Sequence, residues 1–213
     1  GQSLPIYGIA VTDVDAGATP PGYVVVTLSI PANQGSLAVL AGVTGGVPSS
    51  LITGNGTRSI TLTGTPAEVN ETLRLPRGVT YTVPDENFNN NRAGGDVILT
   101  VSADDEGRTG SDLVTTDTET LAITITPVND LPVLTLPGLQ TLNEGLDATR
   151  AITGIQVADV DYEELGVADL AVNLTIPPGQ GTLSVATGVA GGVTNITGNG
   201  TNAITLTGRI VQI

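Results

Sequence analysis

The sequence predicts an all-β protein made of tandem β-sandwich domains, each with one short helix. Three observations carry this. The chain repeats itself over a long period, so that Gly8-Ile9-Ala10-Val11-Thr12-Asp13-Val14-Asp15 returns as Gly154-Ile155-Gln156-Val157-Ala158-Asp159-Val160-Asp161, and Thr53-Gly54-Asn55-Gly56-Thr57 returns as Thr197-Gly198-Asn199-Gly200-Thr201. A repeat on this scale means copies of a domain rather than a solenoid of small units. Aromatic residues are only 2% of the chain, so Val, Ile, Leu and Thr must build the core, and these suit pleated strands. Gly 28 and Pro 13 supply turns at the short, regular spacing of a sandwich.

The strands follow in order. Pro5 to Val11 alternates loosely and ends at Asp13-Val14-Asp15. Tyr23 to Ile30 puts Val24, Val26, Leu28 and Ile30 on one face, and Ser36 to Leu40 is a shorter strand. Gly54-Asn55-Gly56 is a tight-turn signal before a strand from Ser59 to Thr63. Thr65-Pro66-Ala67-Glu68 reads as a capping box opening a helix from Pro66 to about Leu73, with Val69 and Leu73 facing the core. Strands then run over Val79 to Val83, Asp96 to Ala103 and Glu119 to Thr126, the last with Leu121, Ile123 and Ile125 inward. Between them, Asp85 to Gly95 and Asp104 to Gly110 read as loops.

A junction at Val128-Asn129-Asp130-Leu131-Pro132 hands one copy over to the next, giving domains 1–130 and 131–213. In the second copy Val133 to Leu136 and Leu139 to Leu142 are expected to form the first strand, followed by strands over Ala151 to Val157, Leu170 to Ile176, Thr182 to Val185 and Ala203 to Thr207. Gly208 to Ile213 falls where the first copy's helix begins, so the second copy reads as incomplete, and the first as lacking its first strand. With no Met and an opening at Gly1, the chain reads as an internal fragment or processed piece of something longer.

Net charge −14, with seven Arg and no Lys, excludes a basic surface for nucleic acid. Cysteine is absent, so no disulfide framework exists, which is compatible with an exported protein stabilised in another way. No stretch has the length and apolarity of a membrane span. Without His, Cys or Lys the usual bases and nucleophile partners are missing, and Tyr7, Tyr23, Tyr81, Tyr162 and Phe88 are scattered rather than arranged to stack sugars. A non-catalytic protein is expected. Asn-x-Thr triplets at Asn55, Asn70, Asn173, Asn195 and Asn199 read as chance in an Asn- and Thr-rich chain.

Three phrases carry a family resemblance. Thr12-Asp13-Val14-Asp15-Ala16-Gly17 resembles the Asp-x-Asp stretch of cadherin repeats, Ser102-Ala103-Asp104-Asp105-Glu106-Gly107 their later Ala-x-Asp loop, and Ile125 to Pro132 the linker joining one repeat to the next. Gly78 to Phe88 and Thr126 to Asp130 resemble phrases of bacterial cadherin-like tandem repeats in large secreted or surface adhesins of the RTX type. The resemblance covers essentially the whole chain. It implies Greek-key sandwiches stacked end to end, a cell-surface or extracellular location, and Ca²⁺ between neighbouring repeats.

Carried over by position, Asp159 and Asp161 would meet Asn129 and Asp130 of the linker. Asp85 and Glu86 stand where the preceding repeat supplies acids. Asp13, Asp15 and Asp104 would form the matching site at the start of the first copy, and Glu144 would serve a following junction. Pro127 and Val128 replace an acid found in many cadherin linkers, which points to fewer or weaker ions.

The chemistry agrees in kind, because Ca²⁺ takes six to eight oxygen ligands and Asp-x-Asp can aim two carboxylates at one point. The competing reading is a turn with solvated acids, since a repeat copies turns as well as ligands. It stays open for Asp85 and Glu86, and it is preferred for Asp105, Glu106, Glu163 and Glu164. The functional expectation is a Ca²⁺-stiffened spacer whose partners are neighbouring repeats. The alternative is a self-assembling extracellular fibre subunit whose open second copy is completed by a strand from a neighbour. For a dedicated sugar or cell-surface ligand the sequence offers no site.

Overall fold

The computed structural model describes residues 2–14, 22–107, 116–145, 149–165 and 169–213, and the side chains of 163–165 are outside that description. Strand accounts for 34% of the chain against 11% helix, so the protein is mainly β, with several small antiparallel sheets. It divides into two compact units, Gly1–Pro127 and Val128–Ile213.

The first unit contains strands β1 (Ser3–Ile6), β2 (Val24–Ser29), β3 (Ser36–Val39), β4 (Ile52–Thr53), β5 (Ser59–Gly64), β6 (Val79–Thr82), β7 (Val97–Asp104) and β8 (Thr116–Ile123). One sheet has the order β1-β6-β3 and the other β4-β5-β2-β7-β8, all pairs antiparallel. Alternation decides which side chains are inside. In β2 Val24, Val26 and Leu28 are buried while Val25, Thr27 and Ser29 are half-buried on the other face. Both sheets feed one hydrophobic cluster: Leu37, Val39, Val79 and Tyr81 from the smaller, and Val26, Leu28, Ile60, Leu62, Val97 and Leu99 from the larger. Burying each such side chain stabilises the fold by roughly 1.5–3 kcal/mol.

Helix α1 (Pro66–Leu73) starts and stops where the sequence indicates. The Thr65 hydroxyl accepts from the Glu68 amide at 3.3 Å, and the Glu68 carboxylate accepts from the Thr65 amide at 2.8 Å. Val69 and Leu73, one turn apart, are fully buried, and Thr72 between them accepts from the Val47 amide at 2.8 Å.

Two details of this unit differ from expectation. The segment Asp85 to Gly95 is not simply a loop, because it holds a short helix α2 (Asn90–Ala93). Asn89 caps it by accepting from the Asn91 and Arg92 amides, and left-handed Gly94 ends it. Leu121, expected inside, is 43% exposed. It sits opposite buried Leu99, but on the edge strand of the sheet, where among the described residues only the Ile123 end of β8 reaches the core.

The second unit contains β9 (Val133–Thr135), β10 (Gln156–Ala158), α3 (Val160–Leu165), β11 (Leu170–Thr175), β12 (Asn195–Thr197) and β13 (Ala203–Gly208). Its sheets are β10-β9 and β11-β13-β12, again antiparallel. Its buried core among the described residues is Val172, Ile204 and Leu206. The Leu139–Leu142 part of the expected first strand and the expected strand Thr182–Val185 do not form, and that over 151–157 is confined to β10. A strand exists only with a hydrogen-bonded neighbour. In the first unit the counterparts of 149–152 and 182–185, namely β1 and β3, both pair with β6. Among the described residues of the second unit no strand corresponds to β6. At the chain end Ile210–Gln212 forms a single 3-10 turn in which the Gln212 side chain accepts from the Arg209 amide at 2.9 Å, as Glu68 does from Thr65.

Candidate functional site

Asp159-Val160-Asp161 lies at the start of α3, and its two carboxylates have different jobs. Asp159 Oδ1 accepts from the Asp161 amide at 3.0 Å and from the Tyr162 amide at 3.4 Å, so it satisfies donors left open at the start of the helix. Asp161 Oδ2 accepts from the Asp130 amide at 2.6 Å, which ties the junction segment to the Asp-x-Asp turn. Next to it the Asn129 amide group donates to the Asp130 carbonyl at 2.8 Å. Thus Asn129, Asp130, Asp159 and Asp161 are neighbours in one unit. Asn129 and Asp130 are exposed, and both Asp159 and Asp161 are half-buried.

The other candidates are placed as follows. Asp13 is half-buried at the start of the first copy's Asp-x-Asp stretch, and Asp15 lies outside the described residues. Asp104 closes its own loop: its carboxylate accepts from the Glu106 amide at 2.7 Å and from the Thr116 hydroxyl at 2.9 Å. Asp105 similarly accepts from the Gly107 amide, the behaviour of a turn acid.

Asp85 is held by Arg92 through two contacts, at 2.6 and 3.1 Å, and accepts from the Asn87 amide. The Arg92 hydrogen bond keeps its carboxyl below the ordinary aspartate value of 3.8. Arg92 also lies over the Phe88 ring, 5.9 Å from its centroid. Asp85 is therefore part of a local pairing within the first unit. Glu86 and Glu144 are exposed.

An all-oxygen donor set suits a hard cation. Among the described residues, however, no three acidic side chains form a group that could hold a metal ion. The linker and the Asp-x-Asp turn are brought together by one carboxylate–amide bond, not by a finished coordination shell.

A second set of residues, missed in the sequence, holds backbone segments in place. Asn55, at the tip of the Gly-Asn-Gly turn, accepts from the Val39 amide at 2.8 Å and donates to the Val39 carbonyl at 2.9 Å. It thus stands in for one residue of a neighbouring strand. Asn199 makes the same two bonds to Val185, at 2.9 and 3.1 Å. Asn70, on α1, grips Val11 in the same manner at 2.8 Å twice. Their Asn-x-Thr setting was the available signal, and their amides are engaged in the fold. The glycines flanking Asn55 and Asn199 are left-handed, as the turn requires.

Comparison with known protein families, curated proteins and solved structures gives no match. No helix among the described residues is long and apolar enough to cross a membrane.

Proposed function

We propose that the chain is a non-catalytic structural module: tandem Greek-key β-sandwich repeats of the cadherin-like kind, serving as an extracellular spacer in a larger surface or secreted protein. Its partners are neighbouring repeats, and Ca²⁺ stiffens the joint between them. The observation that carries this reading is the bond from the Asp130 amide to the Asp161 carboxylate, which fastens the inter-repeat linker to the Asp-x-Asp turn. The two sheets that share one core in the first unit support the sandwich assignment.

Asn129, Asp130, Asp159 and Asp161 are the residues that would hold the cation. Calcium supplies positive charge that offsets the mutual repulsion of these carboxylates and favours an ordered linker. Without it the acids are solvated and the joint bends. Small-angle scattering tests this directly: the chain's maximum dimension is expected to be longer and better defined in calcium than in chelator. Identical dimensions in the two conditions would contradict the proposal.

A further inference from the structure

The pairing of β7 with β8 stops at Val97 and Ile123. Two residues further on, Ile125 lies outside any strand, yet both of its backbone groups are held. Its amide donates to Asn90 Oδ1 at 2.7 Å, and its carbonyl accepts from the Asn90 amide at 2.9 Å. Asn90, the first residue of α2, thus offers one acceptor and one donor, as a neighbour in an antiparallel ladder would. The ladder itself cannot supply them. In register Ile125 would face Gly95, but Gly94 and Gly95 turn the chain with φ of +76° and +137°. The Gly95 amide donates instead to the Asn90 carbonyl at 2.9 Å.

The Asn90 side chain is itself held in place. Its Nδ2 donates to Asp96 Oδ1 at 2.6 Å, and the same oxygen accepts from the Thr124 hydroxyl at 2.9 Å. Thr124 and Ile125 are therefore both fastened to the segment 90–96. That segment is anchored in turn to the core of the first unit. Phe88, just before α2, is buried in the hydrophobic cluster, and Ala93 and Ile125 pack against that cluster. Gln34 Nε2 donates to the Ala93 carbonyl at 3.2 Å, and the Gln34 carbonyl accepts from the hydroxyl of buried Tyr81 at 2.7 Å. After Ile125 come Thr126 and Pro127. The proline ring fixes its own φ and confines Thr126 to extended conformations. The division between the two units falls directly after Pro127.

We infer that α2 is a clasp for the chain as it leaves the first unit, and that Asn90 and Asp96 are the residues that close it. The clasp carries order two residues past the end of the β7–β8 ladder, and Pro127 carries it on to the unit boundary. Little backbone freedom remains before Val128. Asn suits position 90 because its side chain has both an acceptor for Ile125 and a donor for Asp96. An aspartate there would keep the acceptor and set a second carboxylate against Asp96. The device is made of hydrogen bonds and one proline, so it needs no cation. It deepens the spacer reading, because it limits the length of joint left for calcium to order, and it stands if no calcium binds.

The test is amide hydrogen exchange of the isotope-labelled chain, followed by NMR in chelator throughout, so that its outcome is separate from that of the calcium reading. In the native chain the Ile125 amide is expected to be protected, and that of Val128 to exchange like an exposed amide. Asn90→Ala removes the acceptor and the link to Asp96, and should speed exchange at Ile125 by about tenfold or more. The amides of Val26 and Leu28, in the central strand β2, should exchange as before. Asn91→Ala, one residue on and exposed, controls for the change in the helix and should leave Ile125 protected. An Ile125 amide that exchanges as fast as Val128 in the native chain would overturn the clasp. So would an Asn90→Ala variant in which Ile125, Val26 and Leu28 all speed up equally, because that reports loss of the whole fold. The native comparison needs no variant, so it stays decisive even if Asn90→Ala does not fold.

Discussion

A single asparagine side chain can close a strand edge. Asn55 offers a carbonyl oxygen and an amide at the spacing of a backbone unit, and Val39 bonds to both. Replacing it with alanine leaves the donor and acceptor of buried Val39 without partners, at a cost of about 1–3 kcal/mol. Asn55→Ala should therefore lower the first unit's unfolding temperature by several degrees, and Asn199→Ala by less, because Val185 is open enough for water to substitute. The sequence shows the repeated Gly-Asn-Gly but not what the side chain reaches, since that depends on a strand sixteen residues earlier.

Asp85 makes the same point for the candidate ligands. Its resemblance-based role is metal binding, yet its neighbour is Arg92, seven residues on, brought round by α2. Its folded-state value lies below that of the unfolded chain, so the pair stabilises the fold at neutral pH. That contribution is lost as pH falls below the ordinary 3.8 toward the folded value. The pair is exposed, so the effect is small. Between pH 5 and 3 the unfolding temperature of the native chain should fall more steeply than that of Asp85→Asn; parallel curves would remove Arg92 as the partner.

At the level of elements, legibility followed locality. Helix α1 was readable because its start signal, its cap partner and its apolar pair lie within nine residues, Thr65 to Leu73. Thr65→Ala should cost about 1 kcal/mol, with most of it recovered by Thr65→Ser, as measured by denaturant unfolding. Strands were readable as apolar alternation but not as paired structure. Ser36–Val39 and Thr182–Val185 carry nearly the same pattern, yet only the first forms a strand, because β6 lies beside it. Periodicity reports which face a segment would bury and is silent about whether a partner is there. The same limit applies to Leu121, whose pattern is inward but whose strand is at an edge.

On the scale of the whole molecule, the repeat announces two copies, and the chain divides into units at Pro127 and Val128. The residues around that division were the legible part of the candidate site. The cadherin resemblance groups Asn129, Asp130, Asp159 and Asp161, and in the structure local hydrogen bonds make them neighbours. What sequence could not resolve is how each carboxylate uses its lone pairs. Asp159 serves the helix start, and Asp161 serves the linker backbone. Both oxygens of each carboxylate are accessible to a cation only insofar as these bonds leave lone pairs free, and a carboxylate has about four such sites.

Calcium-dependent thermal unfolding of the chain, native and with Asp159→Ala plus Asp161→Ala, separates a calcium-bridged joint from a metal-free turn. A ligand that binds only the folded state at 100 times its dissociation constant adds about 2.7 kcal/mol. The native chain is expected to unfold several degrees higher in calcium than in chelator, and the double variant at the same temperature in both. The variant's lower starting point in chelator would report the lost helix cap and linker bond alone. Equal unfolding temperatures of the native chain in calcium and in chelator would contradict the calcium-stiffened spacer, and would leave these four residues as a metal-free turn holding the linker.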